Sequence, residues 1–408
     1  MTTRPTPTVA GGATPPHGAT GCPRAVVVLS SPTKTVRVHV RGLVRRLLLA
    51  GVDVRLAASR AVLASFADVL DVDVHGTVLP LGEDVRPVHD LAAASTLRAA
   101  LRNHGTDVVH AHGFRAGAVA ALAVRTLRRR PALVTTWHSL PYPGDGGRVA
   151  LRAGERLVAR SSDVTLAPSS DLLRRAEGLG ARRARLSPVA APAARPPAGE
   201  RADVRAALAA ELGLPVDVPW ILTVGRIVPQ KNHDLLLDAS ARWRGLHPCP
   251  QVLVVGVGPA PVVTRLRRTI AEADLPVHLL GARDDIAALM HAADVFVLTS
   301  RWEAPALSVQ EAMRAHLPVV STAVGGVPDV LGDTGVLVPG GDLEAFAVEV
   351  AHLLSDPARA LALAESASRR AGSLPDEDDV AVDVLDAYAE ACAVRPTGPR
   401  RNPVAPAD

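Results

Sequence analysis

Lysine is almost missing from this chain: of 45 basic residues only Lys34 and Lys231 are lysines, the rest being arginine. A compact ammonium kept against that drift marks a place where a planar guanidinium fits badly, such as the approach to a single phosphate oxygen in a tight space. Cysteine is nearly as scarce. Cys22, Cys249 and Cys392 are widely spaced, odd in number and form no Cys-x-x-Cys pair. That excludes a disulfide framework and a cysteine zinc site, and fits a reducing compartment. Aromatic residues make up 2%, and no apolar run approaches the roughly 18 residues of a spanning helix. The first 24 residues are rich in Thr, Pro and Gly and hold no apolar signal core, so the expectation is a cytoplasmic protein. A dominant charge sign is lacking too. The net charge of +4, from 45 basic and 41 acidic residues, is too small an excess to argue for nucleic acid, while small acidic ligands remain compatible.

What is present suffices for two domains: 408 residues, 48% hydrophobic with much Ala and Val, and 21% charged. Short apolar runs at 25–29, 53–57, 107–110, 133–137 and 164–168 predict strands, with helical spacing at 36–50, 91–102 and 116–129 between them. A proline-rich stretch at 188–200 reads as a hinge. A second alternating set follows, with strands at 220–224, 252–255, 277–280, 295–298 and 318–321 and helices at 234–243, 261–272, 284–292 and 306–314. Such alternation predicts α/β domains with doubly wound parallel sheets, whose strand C-terminal edges face each other across a cleft. The boundaries expected are a disordered segment at 1–24, a first domain at 25–193, a linker with a connecting helix at 194–214 and a second domain at 215–375. A helix at 376–392 would return to the first domain, ahead of a disordered tail at 393–408.

The residues that carry chemistry sit where these strands end. Strand 220–224 runs into Gly225-Arg226-Ile227-Val228-Pro229-Gln230-Lys231, with a helix starting near Asn232. Two cations beside the positive end of a helix are unfavourable unless an anion lies between them, and a phosphate suits that geometry. Strand 295–298 leads to Glu303 and, eight residues on, Glu311. Pro305 starts the helix between them, and the N–H groups of Leu307 to Val309 are offered to an anion.

In the first half, His110-Ala111-His112 places two histidines on one face of a strand end. A metal would need a third ligand that the sequence does not place, so hydrogen-bonded structural or cleft-lining histidines are the simpler reading. Thr135-Thr136-Trp137-His138-Ser139 ends a strand in a histidine aimed at the cleft. Asp71-Val72-Asp73 reads as an ordinary strand edge rather than a metal site, and Gly256-Val257-Gly258-Pro259 as a turn or phosphate-side glycine pair rather than a dinucleotide fingerprint. Arg37, Arg41 and Arg45 form a basic stripe on one helix, and Arg125 with Arg128, Arg129 and Arg130 forms a second cluster. A solvated face is the simpler reading, peripheral contact with anionic lipid at the inner membrane face the other.

These motifs, in this order, resemble those of the retaining glycosyltransferases of family 4, marked by Glu, seven residues and Glu. The matching segments are Val224-Gly225-Arg226 with Lys231, Gly281-Ala282-Arg283-Asp284-Asp285-Ile286, Glu303 to Glu311, and Val324-Gly325-Gly326-Val327-Pro328, within a likeness running from Arg24 to about Ala391. The resemblance implies a GT-B fold, two Rossmann-like domains facing across a cleft. It implies transfer of a hexosyl unit from a nucleoside diphosphate sugar to a small-molecule, glycan or lipid acceptor, with no cofactor and no metal.

On the same resemblance Gly225, Arg226, Lys231, Leu307 and Ser308 would hold the diphosphate, residues near Arg283 the base and Glu311 the ribose. Glu303 and His138 would meet the transferred sugar, with Lys34, His112 and Ser139 nearby. The chain departs from the family in having Ser30 to Thr35 in place of a Gly-rich loop, Pro188-Val189-Ala190 in place of Asn-Gly, and Ala304 in place of Gly. A protein of the same fold that binds the donor without turnover is the alternative. An NAD-dependent oxidoreductase is excluded by Ser31-Pro32 where a Gly-rich turn is required.

Overall fold

A computed structural model describes residues 23–30, 34–81, 87–138, 148–191, 198–304 and 306–394. The first sheet contains β1 (Arg24–Leu29), β2 (Asp53–Ala58), β3 (Gly76–Val78), β4 (Val108–His112), β5 (Ala132–Thr136), β6 (Val164–Ala167) and β7 (Ala184–Leu186). The second contains β8 (Trp220–Val224), β9 (Gln251–Val255), β10 (Val277–Gly281), β11 (Val295–Leu298), β12 (Val319–Thr322) and β13 (Val336–Val338). Their orders are β3-β2-β1-β4-β5-β6-β7 and β10-β9-β8-β11-β12-β13, and the pairs are parallel throughout. Both orders reverse direction beside their first strand, which opens a crevice at the strand C-terminal ends of each sheet.

Why these runs are strands follows from where their side chains go. In β1, Ala25, Val27 and Leu29 enter one core cluster while Val26 and Val28 enter the cluster on the opposite face. In β8, Trp220 and Leu222 point to one side and Ile221 to the other. Burial on both faces requires continuous apolar sequence, because successive side chains alternate between faces. Each fully buried large side chain adds roughly 1.5–3 kcal/mol.

The strands that sequence reasoning does not find, β3, β7 and β13, are all sheet edges of three residues. Such edges are only partly covered, and three residues are too short for a period to register. The reading of Asp71-Val72-Asp73 as a strand edge is corrected. Val72–His75 is a helical turn, the Asp73 N–H donates to Asp71 Oδ1 at 3.1 Å, and the strand begins at Gly76. An aspartate bonding the backbone two residues on competes with ladder formation, and that is why the turn prevails.

The final helix, Glu377–Val394, packs on the first domain although it follows the second in sequence. Ala381, Val384, Ala387, Tyr388 and Ala391 join the cluster built on β1 and the helix Lys34–Leu49. Their helical spacing makes one apolar stripe. Arg46 meets Glu377 at 3.0 Å and Asp378 at 2.5 Å, and Arg185 meets Asp383 at 3.1 Å.

The two domains also meet where the loop after β11 and the helix Val327–Leu331 approach the start of the helix Ser170–Gly178. The Trp302 Nε1–H donates to Asp171 Oδ2 at 2.8 Å, and the Ser170 N–H donates to Asp329 Oδ2 at 2.6 Å. Gln310 bonds both Val189 and Ala191 of the segment leaving the first domain. Residues 192–197, within the hinge expected at 188–200, lie outside the described residues.

Candidate active site

At the C-terminal end of β8, Gly225 leaves room that a side chain would fill: a Cβ there would lie 3.1 Å from Lys231 Cε and 3.3 Å from Nζ. The chain then makes a single 3-10 turn, Pro229–Lys231, passes through Asn232 with φ of 50°, and enters the helix His233–Trp243. Lys231 is thereby turned toward the loop after β11, where its Nζ lies 2.6 Å from Glu303 Oε1. The Ser300 hydroxyl donates to the same carboxylate oxygen. Glu303 is 6% exposed.

Three further bonds join the two loops. Gln230 Nε2–H donates to Trp302 O at 2.7 Å, Arg301 N–H to Gln230 O at 2.8 Å, and the Thr299 hydroxyl to Lys231 O at 2.9 Å. Arg226, by contrast, is exposed and has no side-chain partner among the described residues. The rare lysine is therefore tied into the protein, and the neighbouring arginine is available to a ligand.

Glycines that the sequence presents only as motif letters hold this corner together. A Cβ on Gly325, whose φ is +56°, would sit 1.8 Å from Glu303 O, and the Gly326 N–H donates to that same carbonyl at 2.9 Å. A Cβ on Gly256, at φ +147°, would sit 1.8 Å from Gly225 O, and one on Gly258 2.0 Å from Ile227 O. Backbone thus presses on backbone from two sides, which only glycine permits. The Gly256 and Gly258 pair is a set of turn glycines bracing the Gly225 loop.

The helix Leu307–Arg314 follows Glu303, with no side chain capping its start. The Val309 N–H donates to Ala306 O at 2.9 Å and is not offered to a ligand, which corrects the expectation for that group, while those of Leu307 and Ser308 bond to no described residue. The first turn of this helix closes on itself through Ala306. Glu311 lies one turn in and is half-buried, and Pro305 lies outside the described residues. Arg283 has its guanidinium committed to Asp285, at 2.8 and 2.6 Å, and to Glu211, at 2.6 Å. Those carboxylates raise its pKa further, so it stays charged.

In the first domain the histidines converge. His112 ends β4 and His138 stands two residues beyond β5, and His112 Nδ1 and His138 Nε2 share a hydrogen bond at 2.9 Å. Behind them His110 is fully buried, shares hydrogen bonds with Tyr388 Oη at 3.0 Å and Thr136 Oγ1 at 2.8 Å, and lies against His112 with centroids 4.1 Å apart and the rings tilted by 34°.

His39, from the helix Lys34–Leu49, completes the group: its ring stands edge-on to His138 at 5.5 Å and to His112 at 6.3 Å. The sequence reading missed it, and a lone histidine among apolar helix positions was the available signal. Burial holds all four neutral. It lowers His39 to about 4, and His110 to about 3 with help from the repulsion that His39 would exert once protonated, and it puts His112 and His138 well below the usual histidine range. Lys34 opens the helix Lys34–Leu49, but its side chain, like Ser139, falls outside the described residues. The stripe arginines Arg41 and Arg45 both reach Asp68.

Residues 218–356 match the family described as glycosyl transferases group 1, and residues 34–192 match the glycosyl transferase 4-like domain. The D-inositol 3-phosphate glycosyltransferase of Xylanimonas cellulosilytica is 35% identical over 339 residues, 74% of this chain and 77% of that protein. The protein of the same name from Mycobacterium tuberculosis H37Ra is 35% identical over 285 residues, 64% of this chain, and the match spans 57% of its own length.

Among solved structures, sucrose-phosphate synthase from Thermosynechococcus elongatus is similar with a TM-score of 0.71 at 22% identity, covering 91% of this chain and 100% of that one. An Anabaena protein solved in complex with UDP-glucose gives 0.71 at 19% identity, covering 90% and 99%. No described helix is long and apolar enough to cross a membrane.

Proposed function

The chain belongs to the group 1 glycosyl transferases, with a family 4-like first domain and the GT-B fold, and from that premise we propose that it moves a hexosyl unit from a nucleoside diphosphate sugar to an acceptor hydroxyl, retaining anomeric configuration and needing no metal. The observation that carries the reading is the Lys231–Glu303 pair, 2.6 Å apart, where the two strand-end loops of the second domain meet.

In this reading the donor diphosphate lies against Arg226, Lys231 and the N–H groups of Leu307 and Ser308. As the glycosidic bond breaks, negative charge collects on the leaving diphosphate. Two cations and two N–H dipoles already in place stabilise it without reorganisation, and one such donor is worth roughly 10²–10³ in kcat. Glu303 contacts hydroxyls of the sugar, and its bond to Lys231 keeps sugar and phosphate recognition in register. Glu311 takes the ribose hydroxyls. Arg283, pinned by Asp285 and Glu211, shapes the loop that receives the base.

Neutral His138 contacts the sugar and its phosphate from the other domain, with His112 orienting it. The acceptor attacks from the face that the diphosphate leaves, and a phosphate oxygen takes its proton, so no carboxylate serves as base. The names of the relatives support a small polyol phosphate as the first acceptor to assay, and the neighbour solved with UDP-glucose supports UDP as the first base. The pairing of Arg41 and Arg45 with Asp68 favours a solvated helix face over a lipid contact.

The test is a thermal-shift panel of UDP-, GDP- and ADP-sugars, in which a donor at about 100 times its Kd stabilises by roughly 2.7 kcal/mol. One class of donor shifts the melt, Lys231→Ala loses that shift, and transfer in the presence of a chelator proceeds with retention by NMR. Silence from every donor overturns the reading. A donor shift with no transfer to any acceptor class supports a binding protein that lacks turnover.

A further inference from the structure

His39, His112 and His138 each present one ring nitrogen, and the three nitrogens lie within 4.8 Å of one another. They come from three separate elements: the helix Lys34–Leu49, the end of β4 and the loop after β5. The His112 and His138 rings are nearly parallel, at 16° with centroids 5.2 Å apart, and His39 stands edge-on to both at 68°. His112 is fully buried, and the nitrogen it brings to His138 is Nδ1, 2.9 Å from His138 Nε2.

From this geometry we propose that His39, His112 and His138 form a binding site for a divalent transition-metal ion, zinc above all. Three neutral imidazoles with neither a carboxylate nor a sulfur among them suit zinc, cobalt or nickel, and suit magnesium or calcium poorly because those ions demand oxygen ligands. Metal–nitrogen bonds of about 2.1 Å at tetrahedral angles set ligand nitrogens roughly 3.4 Å apart, so the 2.9 Å contact between His112 Nδ1 and His138 Nε2 opens only slightly, and the proton they share moves to the other nitrogen of the ring that carries it. His39 is the third ligand that the sequence could not place.

Three protein ligands leave the fourth position open, and His138, half-buried, marks the side from which the ion enters. The ion is not part of the transfer chemistry. It draws in His138, the residue that the proposed function places against the donor sugar, and so it acts as an inhibitor of that function while Arg226 and Lys231 remain in place for the nucleotide.

The experiment is equilibrium dialysis of the untagged full-length chain against zinc, with metal counted by mass spectrometry. A parallel titration with cobalt is read through the visible bands of the four-coordinate ion. The expected result is one bound ion per chain, with bands of tetrahedral intensity. His39→Gln and His112→Gln each weaken uptake by more than the roughly 10–100-fold typical of losing a ligand's supporting partner. Failure of the unaltered chain to take up metal overturns the proposal, and so does uptake unchanged in both variants, which would locate the ion on other histidines. Metal counting does not depend on transferase activity, so this result and that of the donor panel stand apart. Where transfer is measured, zinc inhibition that is relieved in His39→Gln supports the site.

Discussion

Replacing Lys231 by alanine strands the Glu303 carboxylate in a place where water hardly reaches it. The pair is 2.6 Å apart with side chains 14% and 8% exposed, so it belongs with buried ion pairs rather than surface ones. An exposed pair is worth under about 1 kcal/mol, whereas removing one partner of a buried pair costs about 3–5 kcal/mol, because the survivor keeps its desolvation penalty without its compensation. The Ser300 hydroxyl still reaches Glu303 and offsets a little of this. The double variant Lys231→Ala with Glu303→Gln leaves no stranded charge and should recover about 2–3 kcal/mol of the loss.

Urea unfolding of the four corners of that cycle, at one pH and without nucleotide, measures the coupling directly. An additive cycle, or a loss below about 1 kcal/mol in Lys231→Ala, would refute the argument that this pair is the keystone of the site. Donor affinity separates the functional half of the claim: both variants should lose the nucleotide-sugar shift, including the double variant whose fold has recovered.

Two further outcomes follow from local geometry. Gly325→Ala should cost well over the roughly 1–2 kcal/mol of a left-handed alanine, because its Cβ meets Glu303 O at 1.8 Å, and transfer should fall with it. Gly213→Ala, at φ +67° with nothing within 4 Å, is the control in which only the backbone term appears; equal losses at the two sites would refute the packing argument. His233 is held to about 4, chiefly by burial and then by the charge of Lys231. The unfolded chain therefore binds the proton first, and the stability from this residue is complete above about pH 6.5 and is lost as pH falls toward about 4, by on the order of 3 kcal/mol. Acid titration of stability for the chain and for His233→Gln should show that slope shrinking in the variant, and identical slopes would show the burial to be without consequence.

Much of the architecture is written locally. Strands buried on both faces need unbroken apolar runs, which is why β8 and β11 occupy the residues expected, 220–224 and 295–298. The edge strands β3, β7 and β13 escaped because three half-covered residues carry no such signal. The Asp71 to Asp73 segment escaped because a side-chain hydrogen bond outweighs an alternating pattern. In the site, Lys231 and Glu303 were legible as chemistry from residue type and from their position after strands, but their contact was not, since 72 residues separate them.

Two parallel-sheet domains, and a lysine spared from replacement by arginine at the end of a strand, could be read along the chain, because hydrophobic period and residue chemistry are properties of neighbours in sequence. It took folding in three dimensions to tie Lys231 to Glu303, to press Gly325 on that loop, to hold Arg283 between Asp285 and Glu211, and to bring His39 to His112 and His138. Those are meetings of strand ends and helices far apart in sequence, set by sheet order and packing, and no pattern along the chain encodes the distance between them.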